Sequence, residues 1–275
     1  MSFFLTILLS LLSFEGTESR SSGRVTREIR RTIIVRAGSV APLGLMTNVF
    51  LIAPSDPPSL AEGIRETQLT LSLERGAKKT QLQATVIGKD GPTLTILTAA
   101  HGLGPADVNA SIQIRQGGKA STARVERVIR NPYFRPPPNS DIPGADNVII
   151  RVRLDEGGTI ELNALRVAVL APWAIPDSDG QTVVIHTLDQ FGKGHVVKAG
   201  NYSNPRWLEW GPTYRPIPGD SGSGVFIVRK KADGTTVPYL AGLVVDRSEQ
   251  GGGASLIHLQ DKWVFEATRP IKPGG

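Results

Sequence analysis

Short segments in which apolar and polar residues alternate run along most of the chain after residue 67. The first of them, Gln68-Leu-Thr-Leu-Ser-Leu73, has the two-residue period of a half-buried β-strand. The next two, 81–87 and 93–99, flank Gly88-Lys-Asp-Gly91, whose glycines predict a hairpin turn. Further strands are predicted at 111–115, 123–129, 147–152, 165–170, 182–186, 195–198, 206–210, 224–228, 239–245 and 254–259. Many short strands with turn residues between them predict a sandwich or barrels and not βαβ units.

The remaining elements lie near the two ends of the chain. The pattern favours short strands at 32–35 and 48–52, a short helix at 59–66, and a C-terminal helix at 260–268 that ends before Pro270. Residues 1–14 form an uncharged apolar run with the length of a signal-peptide core, too short to span a bilayer comfortably. Export to the periplasm or the medium is therefore expected. A buried N-terminal segment or a misassigned start codon is the alternative.

Composition excludes several kinds of chemistry. With 275 residues, 40% hydrophobic, the chain is long enough for one long all-β domain or two modest subdomains. The absence of cysteine removes disulfides, thiolate nucleophiles and Cys-ligated zinc. The net charge is +6, and the first 36 residues are rich in Arg. A solvated linker or pro-segment is favoured there over a patch for anionic lipid or nucleic acid, because the stretch matches no nucleic-acid fold, and no nucleic-acid partner is expected.

No cofactor or metal site is predicted either. No phosphate-binding glycine loop occurs in the sequence. His186, His195 and His258 form no metal-binding spacing with one another or with an acid, so we interpret them as structural residues.

Three segments bring together residue types that can act as a nucleophile, a base and an acid. An apolar strand delivers a histidine into a turn in Thr95-Ile-Leu-Thr-Ala-Ala-His-Gly102. An acid stands at the start of a β-branched strand in Ala145-Asp-Asn-Val-Ile-Ile-Arg-Val152. A serine flanked by glycines leads into a strand in Pro218-Gly-Asp-Ser-Gly-Ser-Gly-Val225.

The chemistry of acyl transfer needs these residue types. A serine hydroxyl is a weak nucleophile until a neighbouring base takes its proton, and a histidine can do so near neutral pH. A carboxylate fixes the tautomer of the imidazole and stabilises the imidazolium that forms. Backbone N–H groups beside the serine can bind the developing oxyanion, and a glycine before the Asp-Ser pair gives the backbone the necessary freedom.

Taken together, in the order His, Asp, Ser, these motifs resemble the chymotrypsin/trypsin-like serine proteases. The matching stretches are Thr98-Ala-Ala-His101, Asp146-Asn-Val-Ile-Ile150 and Gly219-Asp-Ser-Gly-Ser223. Ala241-Gly-Leu-Val-Val245 resembles the strand that follows the serine motif in that family. The α/β-hydrolase alternative fails because position 223 is Ser and because its triad order differs.

The resemblance covers residues 67–268 and implies two six-stranded antiparallel β-barrels with the active site in the cleft between them. His101, Asp146 and Ser221 would form the catalytic triad, and the backbone N–H groups of Gly219 and Ser221 the oxyanion hole. The domain organisation predicted on this basis is a signal peptide at 1–20, an N-terminal extension or pro-segment at 21–63, and a protease domain at 64–275. Within that domain, the first barrel is predicted at about 64–160, the second at about 161–260 and the C-terminal helix at about 260–268.

Some positions depart from the family pattern. Ser223 replaces the second glycine of the serine motif, and Val245-Asp-Arg247 replaces the usual Ser-Trp-Gly that pairs with a substrate backbone. In the family the acid at Asp220 is held by an N-terminus freed by processing. The expected Ile-Val-Gly-Gly is missing here, and Arg31-Thr-Ile-Ile-Val35 is a poor match to it.

The residue six positions before the serine, where trypsin carries an acid that selects Lys and Arg, is Arg215. With Val245, Asp246 and Arg247, it is a candidate for the primary specificity pocket. Three hypotheses follow: Arg215 repels basic side chains, it points to solvent because Pro216 and Pro218 reshape the loop, or Asp220 pairs with it or with another cation.

The predicted function is a serine endopeptidase acting on protein or peptide substrates, of undetermined oligomeric state. Asp141 is a rival for the triad acid, but Pro143 beside it disfavours regular pairing, so Asp146 is preferred. One alternative is a catalytically silent pseudoprotease that binds proteins. Another is a regulatory protease whose N-terminal extension blocks the cleft.

Overall fold

The structure, a computed structural model, describes eight stretches of the chain. They are residues 58–135, 144–171, 183–204, 206–212, 214–230, 233–248, 251–257 and 261–268. The predicted signal peptide, the strands predicted at 32–35 and 48–52, Asp141 and His258 lie outside these residues and stay predictions.

The first half of the described chain is a closed barrel of six antiparallel strands. Its strands are β1 Gln68–Arg75, β2 Lys78–Asp90, β3 Thr93–Thr98, β4 Ser111–Gln116, β5 Lys119–Arg130 and β6 Val148–Leu154. They are hydrogen-bonded in the order β1-β2-β3-β6-β5-β4, and β1 pairs with β4 to close the barrel. Leu69, Leu71 and Leu73 of the first alternating segment are buried in its core, as their period predicts.

The hairpin between β2 and β3 turns later than the glycine pattern predicts. Asp90 is paired with Thr93, so the turn residues are Gly91 and Pro92. Gly91 has a φ of +53°, which favours glycine. Gly88 lies within β2 and is paired with Thr95, just after a register shift between Val86 and Gly88. The glycine that resembled a turn residue therefore follows a β-bulge.

The second half forms a seven-stranded sheet. Its strands are β7 Val169–Leu170, β8 Val183–Leu188, β9 Gly194–Asn204, β10 Trp207–Trp210, β11 Gly224–Lys230, β12 Thr236–Ser248 and β13 Gly251–Leu256. The order is β11-β8-β9-β10-β13-β12-β7, and β11 also pairs with β12. Six antiparallel strands therefore form a ring, which is the second barrel, and the short β7 pairs with β12 in parallel. The predicted all-β class is confirmed.

The segment predicted as a strand at 165–170 is regular over only Val169–Leu170. It connects the two barrels and its backbone bonds to several elements in turn, with Arg166 N–H donating to Glu66 and Ala168 N–H to Val86. Leu165 is buried in the core of the first barrel and Leu170 in the cluster between the barrels. The apolar pattern of residues 165–170 therefore comes from the burial of this connecting segment and not from pairing with a neighbouring strand.

The two described helices flank a hydrophobic cluster shared by both barrels. Helix α1 spans Pro58–Arg65 and helix α2 spans Lys262–Thr268, and both contribute side chains to this cluster. Leu97 and Ile149 on the outside of the first barrel join Leu243 of the second. This shared packing holds the two barrels against each other. None of the described helices has the length and apolarity to cross a membrane.

Candidate active site

His101 lies in a short 3₁₀ turn, Ala100–Gly102, that begins two residues after β3 ends. Ala99 and Ala100 are fully buried, so their small side chains pack the turn against the end of the first barrel. A Cβ atom at Gly102 would lie 2.3 Å from Leu82 Cδ1, so a larger residue there would require the Leu82 side chain to shift. The turn leaves the imidazole at the surface, with 38% of the His101 side chain exposed.

Asp146 lies immediately before β6 in a loop that a buried polar network holds in place. The side-chain amide of Asn147 donates to Ser255 Oγ at 2.6 Å, and that hydroxyl donates to the carbonyl of Gly144 at 2.7 Å. Asn131 Nδ2 donates to Asn147 Oδ1 at 3.0 Å. Because Ser255 belongs to β13, the network ties the acid's loop to the second barrel. Sequence analysis missed the role of Asn147, whose one signal is an amide at the start of an apolar strand.

The structure brings His101 and Asp146 together through two hydrogen bonds. His101 Nδ1 lies 2.7 Å from Asp146 Oδ2, and the His101 backbone N–H donates to Oδ1 at 2.8 Å. Since a carboxylate only accepts, Nδ1 carries the proton and the neutral ring has its lone pair on Nε2. That is the tautomer of a general base.

The carboxylate also changes the proton affinity of the ring. The hydrogen bond that His101 donates to Asp146 raises the pKa of His101 above its ordinary value of 6.5, the negative charge of Asp146 raises it further, and burial opposes the shift.

The raised pKa of His101 predicts the acid limb of the pH profile. Only neutral His101 can take a proton, so activity should fall as the pH drops through the raised pKa, with a midpoint above 6.5. The profile of kcat/KM between pH 5 and 9, on the order of ten points, measures this midpoint. A midpoint at or below the ordinary histidine value would contradict the assignment of the base.

The Ser221 loop is anchored to the first barrel next to the strand that leads to His101. Gln83 N–H, in β2, donates to the carbonyl of Ser221 at 2.8 Å. Thr98, the last residue of β3, donates its hydroxyl to the carbonyl of Gln83 at 2.6 Å. A Cβ atom at Gly222 would lie 2.6 Å from that same hydroxyl oxygen. The serine and the histidine turn are therefore both held at one end of the β2–β3 pair.

The candidate nucleophile does not bond to the candidate base. Among the described residues, the hydrogen bonds of His101 go to Asp146, and none joins it to Ser221. Hydrogen bonds of this kind are often long in ligand-free enzymes and tighten when substrate binds.

Two backbone donors in the serine loop have no acceptor. The N–H groups of Asp220, Gly222 and Ser223 donate to carbonyls of Ile217, Val244 and Asp220 respectively. Within the described part of the chain, those of Gly219 and Ser221 donate to none. Gly219 has a φ of +100°, the left-handed region that favours glycine. The predicted oxyanion-hole groups are thus the unsatisfied donors of this loop.

Ser223, at the position where the trypsin-like serine motif has its second glycine, has a structural role. Its side chain is fully buried, and its hydroxyl donates to the carbonyl of Leu188 at the end of β8. The replacement therefore fastens the serine loop to the second barrel.

The candidate pocket residues are spread along two segments. Arg215 is exposed, while Pro216 beside it is buried against β13, where a Cβ atom at Gly252 would lie 2.8 Å from Pro216 Cδ. Val245 is half-buried, and Asp246 and Arg247 are exposed on β12. Arg247 N–H donates to Asp246 Oδ1 at 2.7 Å.

Asp220 is fully buried and is held by neutral donors. Its carboxylate accepts hydrogen bonds from the Tyr214 hydroxyl at 2.9 Å, Ile217 N–H at 2.9 Å and Gln190 N–H at 2.8 Å. None of the ion pairs between described residues involves Asp220, so Arg215 is not its partner. Sequence analysis did not identify Tyr214 or Gln190.

The comparisons with known proteins concern the fold. No protein-family model matches the sequence, and no curated protein matches it. Among 685 matching chains of solved structures is neuropsin, a serine protease expressed in the limbic system of mouse brain. The likeness has a TM-score of 0.51 at 16% identity and covers 76% of this chain and 96% of neuropsin. The chain therefore has the chymotrypsin-like fold that its motifs implied.

Proposed function

We propose that the protein is a serine endopeptidase with His101, Asp146 and Ser221 as its catalytic triad. The observation that carries the proposal is the paired His101 and Asp146, located beside a serine loop that is bonded to the same end of the first barrel. The unsatisfied N–H groups of Gly219 and Ser221 supply the donors that an oxyanion needs.

The proposed reaction proceeds through an acyl-enzyme. Ser221 Oγ attacks the scissile carbonyl while His101 Nε2 takes the hydroxyl proton, and the tetrahedral oxyanion binds the N–H groups of Gly219 and Ser221. The imidazolium, stabilised by Asp146, then protonates the leaving amine as the C–N bond breaks. His101 Nε2 then takes a proton from water as the water oxygen attacks the acyl carbon of the ester. The bond between that carbon and Ser221 Oγ breaks, the imidazolium returns the proton to Ser221 Oγ, and the acid is released.

An open strand edge supports an extended peptide substrate. β12 pairs with β11 only as far as Leu243, which lies opposite Gly224. Beyond Val244, Asp246 and Arg247 pair with β13 on one edge, after a register shift at Val245, and no described strand pairs with the other edge. A peptide backbone can add at such an edge through main-chain hydrogen bonds, which are independent of sequence. We propose that Val245, Asp246 and Arg247 bind substrate in this way.

Hydrolysis of unfolded protein or a peptide library by the purified chain tests the proposed function. Internal cleavage that a fluorophosphonate blocks supports a serine endopeptidase. A folded chain that cleaves nothing and resists the reagent favours the pseudoprotease, for which the missing hydrogen bond between His101 and Ser221 is the one argument from the described contacts.

We also propose that a preference for Lys or Arg before the scissile bond is absent. The exposed guanidinium of Arg215 repels basic side chains and can pair with a carboxylate, so acidic or uncharged residues are accepted. Profiling with a peptide library should show this, and Arg215→Ala should lower kcat/KM for acidic residues by about 10-fold. A strong preference for Lys or Arg would contradict the proposal, and unchanged specificity in the variant would exclude Arg215 from the pocket.

A further inference from the structure

A stack of three aromatic rings lies behind the serine loop. The ring of Tyr214 lies between those of His195 in β9, whose centroid is 4.1 Å away, and Trp210 in β10, 6.2 Å away. Trp210 Nε1 donates to the backbone carbonyl of Tyr214 at 2.9 Å. The phenol therefore has little freedom to rotate, and its hydroxyl is aimed at Asp220, 2.9 Å away.

Asp220 is also hydrogen-bonded to the turn after β8, whose conformation is held by the carboxylate of Asp189. Asp189, which follows β8, accepts the N–H groups of Phe191 at 2.9 Å and Lys193 at 2.8 Å through Oδ1. Its Oδ2 lies 3.3 Å from His195 Nε2. These bonds hold the turn so that Gln190 N–H reaches Asp220. The tyrosine stack and the turn thus meet at one buried carboxylate.

In the sequence, Asp220 lies between Gly219 and Ser221, whose N–H groups are the candidate oxyanion donors. The position of Asp220 therefore determines the positions of both groups. A buried carboxylate without sufficient donors would be costly, and the loop would move to rehydrate it. In the described structure, three donors from the second barrel hydrogen-bond to the carboxylate of Asp220.

We propose that Tyr214 is a positioning residue for the oxyanion hole. Its hydroxyl, with the N–H groups of Gln190 and Ile217, holds Asp220 and so keeps the N–H groups of Gly219 and Ser221 in the conformation that an oxyanion needs. The serine loop then requires no ammonium group, including one freed by N-terminal processing. The inference rests on the proposed function and adds to it that the unprocessed chain is competent.

The proposal predicts the behaviour of Tyr214→Phe. The variant keeps the ring between His195 and Trp210 and removes one donor from Asp220. Loss of an oxyanion donor itself costs 10²–10³ in kcat, and Tyr214 acts one step further away, so we expect kcat and the rate of fluorophosphonate labelling to fall roughly 10-fold. KM should change by less than about twofold, because Tyr214 is buried and so does not line the surface that a substrate would contact. The matched control is Tyr133→Phe, at a tyrosine that is 52% exposed in the first barrel, and it should label at the wild-type rate.

Two further measurements separate positioning from a merely structural role. The full chain with a tag before Met1 should label within about twofold of the untagged chain, with its intact mass unchanged before labelling. The labelling rate should also stay level between pH 8 and 10, where an α-amino group of pKa about 8 would lose its charge. Burial and the negative charge of Asp220 hold the pKa of Tyr214 well above its usual range, so the phenol keeps its proton there. The other titratable groups facing it are His195 from β9 and Asp189 from the turn after β8.

The outcomes of these measurements are distinct. The inference is supported if the wild-type chain is labelled at a rate that stays level up to pH 10 and the Tyr214→Phe variant is labelled more slowly. An equal labelling rate in Tyr214→Phe overturns it, even if the variant melts at a lower temperature, because the tyrosine then acts on stability alone. Labelling that requires cleavage of the N-terminal segment overturns it as well. A folded wild-type chain that never labels contradicts the proposed function itself and the inference with it.

Discussion

Replacing Ser221 with alanine should abolish turnover while leaving the fold intact. The change removes the oxygen that we propose as the nucleophile, so we expect kcat to fall by roughly 10⁶-fold. The fold should survive because the contact of Ser221 with the first barrel uses its backbone carbonyl, which alanine retains. Hydrolysis of a peptide substrate measures the loss, and thermal unfolding measured by circular dichroism checks the fold.

The matched control for this variant is Ser111→Ala. Ser111 is an exposed serine at the start of β4, and it lies in none of the segments that form the site. Its removal should leave activity at the wild-type level. Residual turnover in Ser221→Ala above the background rate would remove Ser221 as the nucleophile.

Asp146→Asn should cost on the order of 10⁴-fold in kcat. The carboxylate accepts both the His101 backbone N–H and the Nδ1 proton, one at each oxygen. An amide has one acceptor oxygen and one donor nitrogen, so it cannot accept both bonds, and an NH₂ facing Nδ1 selects the ring tautomer with its proton on Nε2. A ring protonated at Nε2 cannot take the proton of Ser221. Single-turnover kinetics with an activated ester measures the acylation step directly.

Asp155→Asn is the matched control for this change, since Asp155 is an exposed aspartate just beyond β6. It should leave the rate of acylation unchanged. The Asp146→Asn variant should also lose the raised pKa of His101, because the hydrogen bond and charge that raise it are gone. An Asp146→Asn enzyme as fast as the wild type would exclude Asp146 from the triad.

The alternating pattern predicted the strands of this fold well because a barrel buries every second side chain of a strand. Leu69, Leu71 and Leu73 are an example, since all three are buried in the first barrel. The pattern failed between 165 and 170, where Leu165 and Leu170 are buried in two different clusters on a connecting segment. The apolar pattern indicates which side chains are buried. It cannot distinguish a strand that is hydrogen-bonded in a sheet from a connecting segment that passes between two cores.

Motif spacing selected His101, Asp146 and Ser221 as candidates, and the structure pairs the first two through a hydrogen bond. The supports of the site could not be predicted in this way. Gln190 bonds to an acid 30 positions away, and Asn147 bonds to Ser255, 108 positions away. Such contacts follow from how the barrels close and pack, and no local pattern encodes them.

The most direct test of the account is to locate the adduct of a fluorophosphonate on the full-length wild-type chain by mass spectrometry. The reagent reacts with a serine only where a base and an oxyanion hole activate it. The account predicts one adduct per chain, on the peptide that contains Ser221, and none in a chain unfolded beforehand. A folded chain that stays unlabelled, or one labelled at a serine other than Ser221, would contradict it.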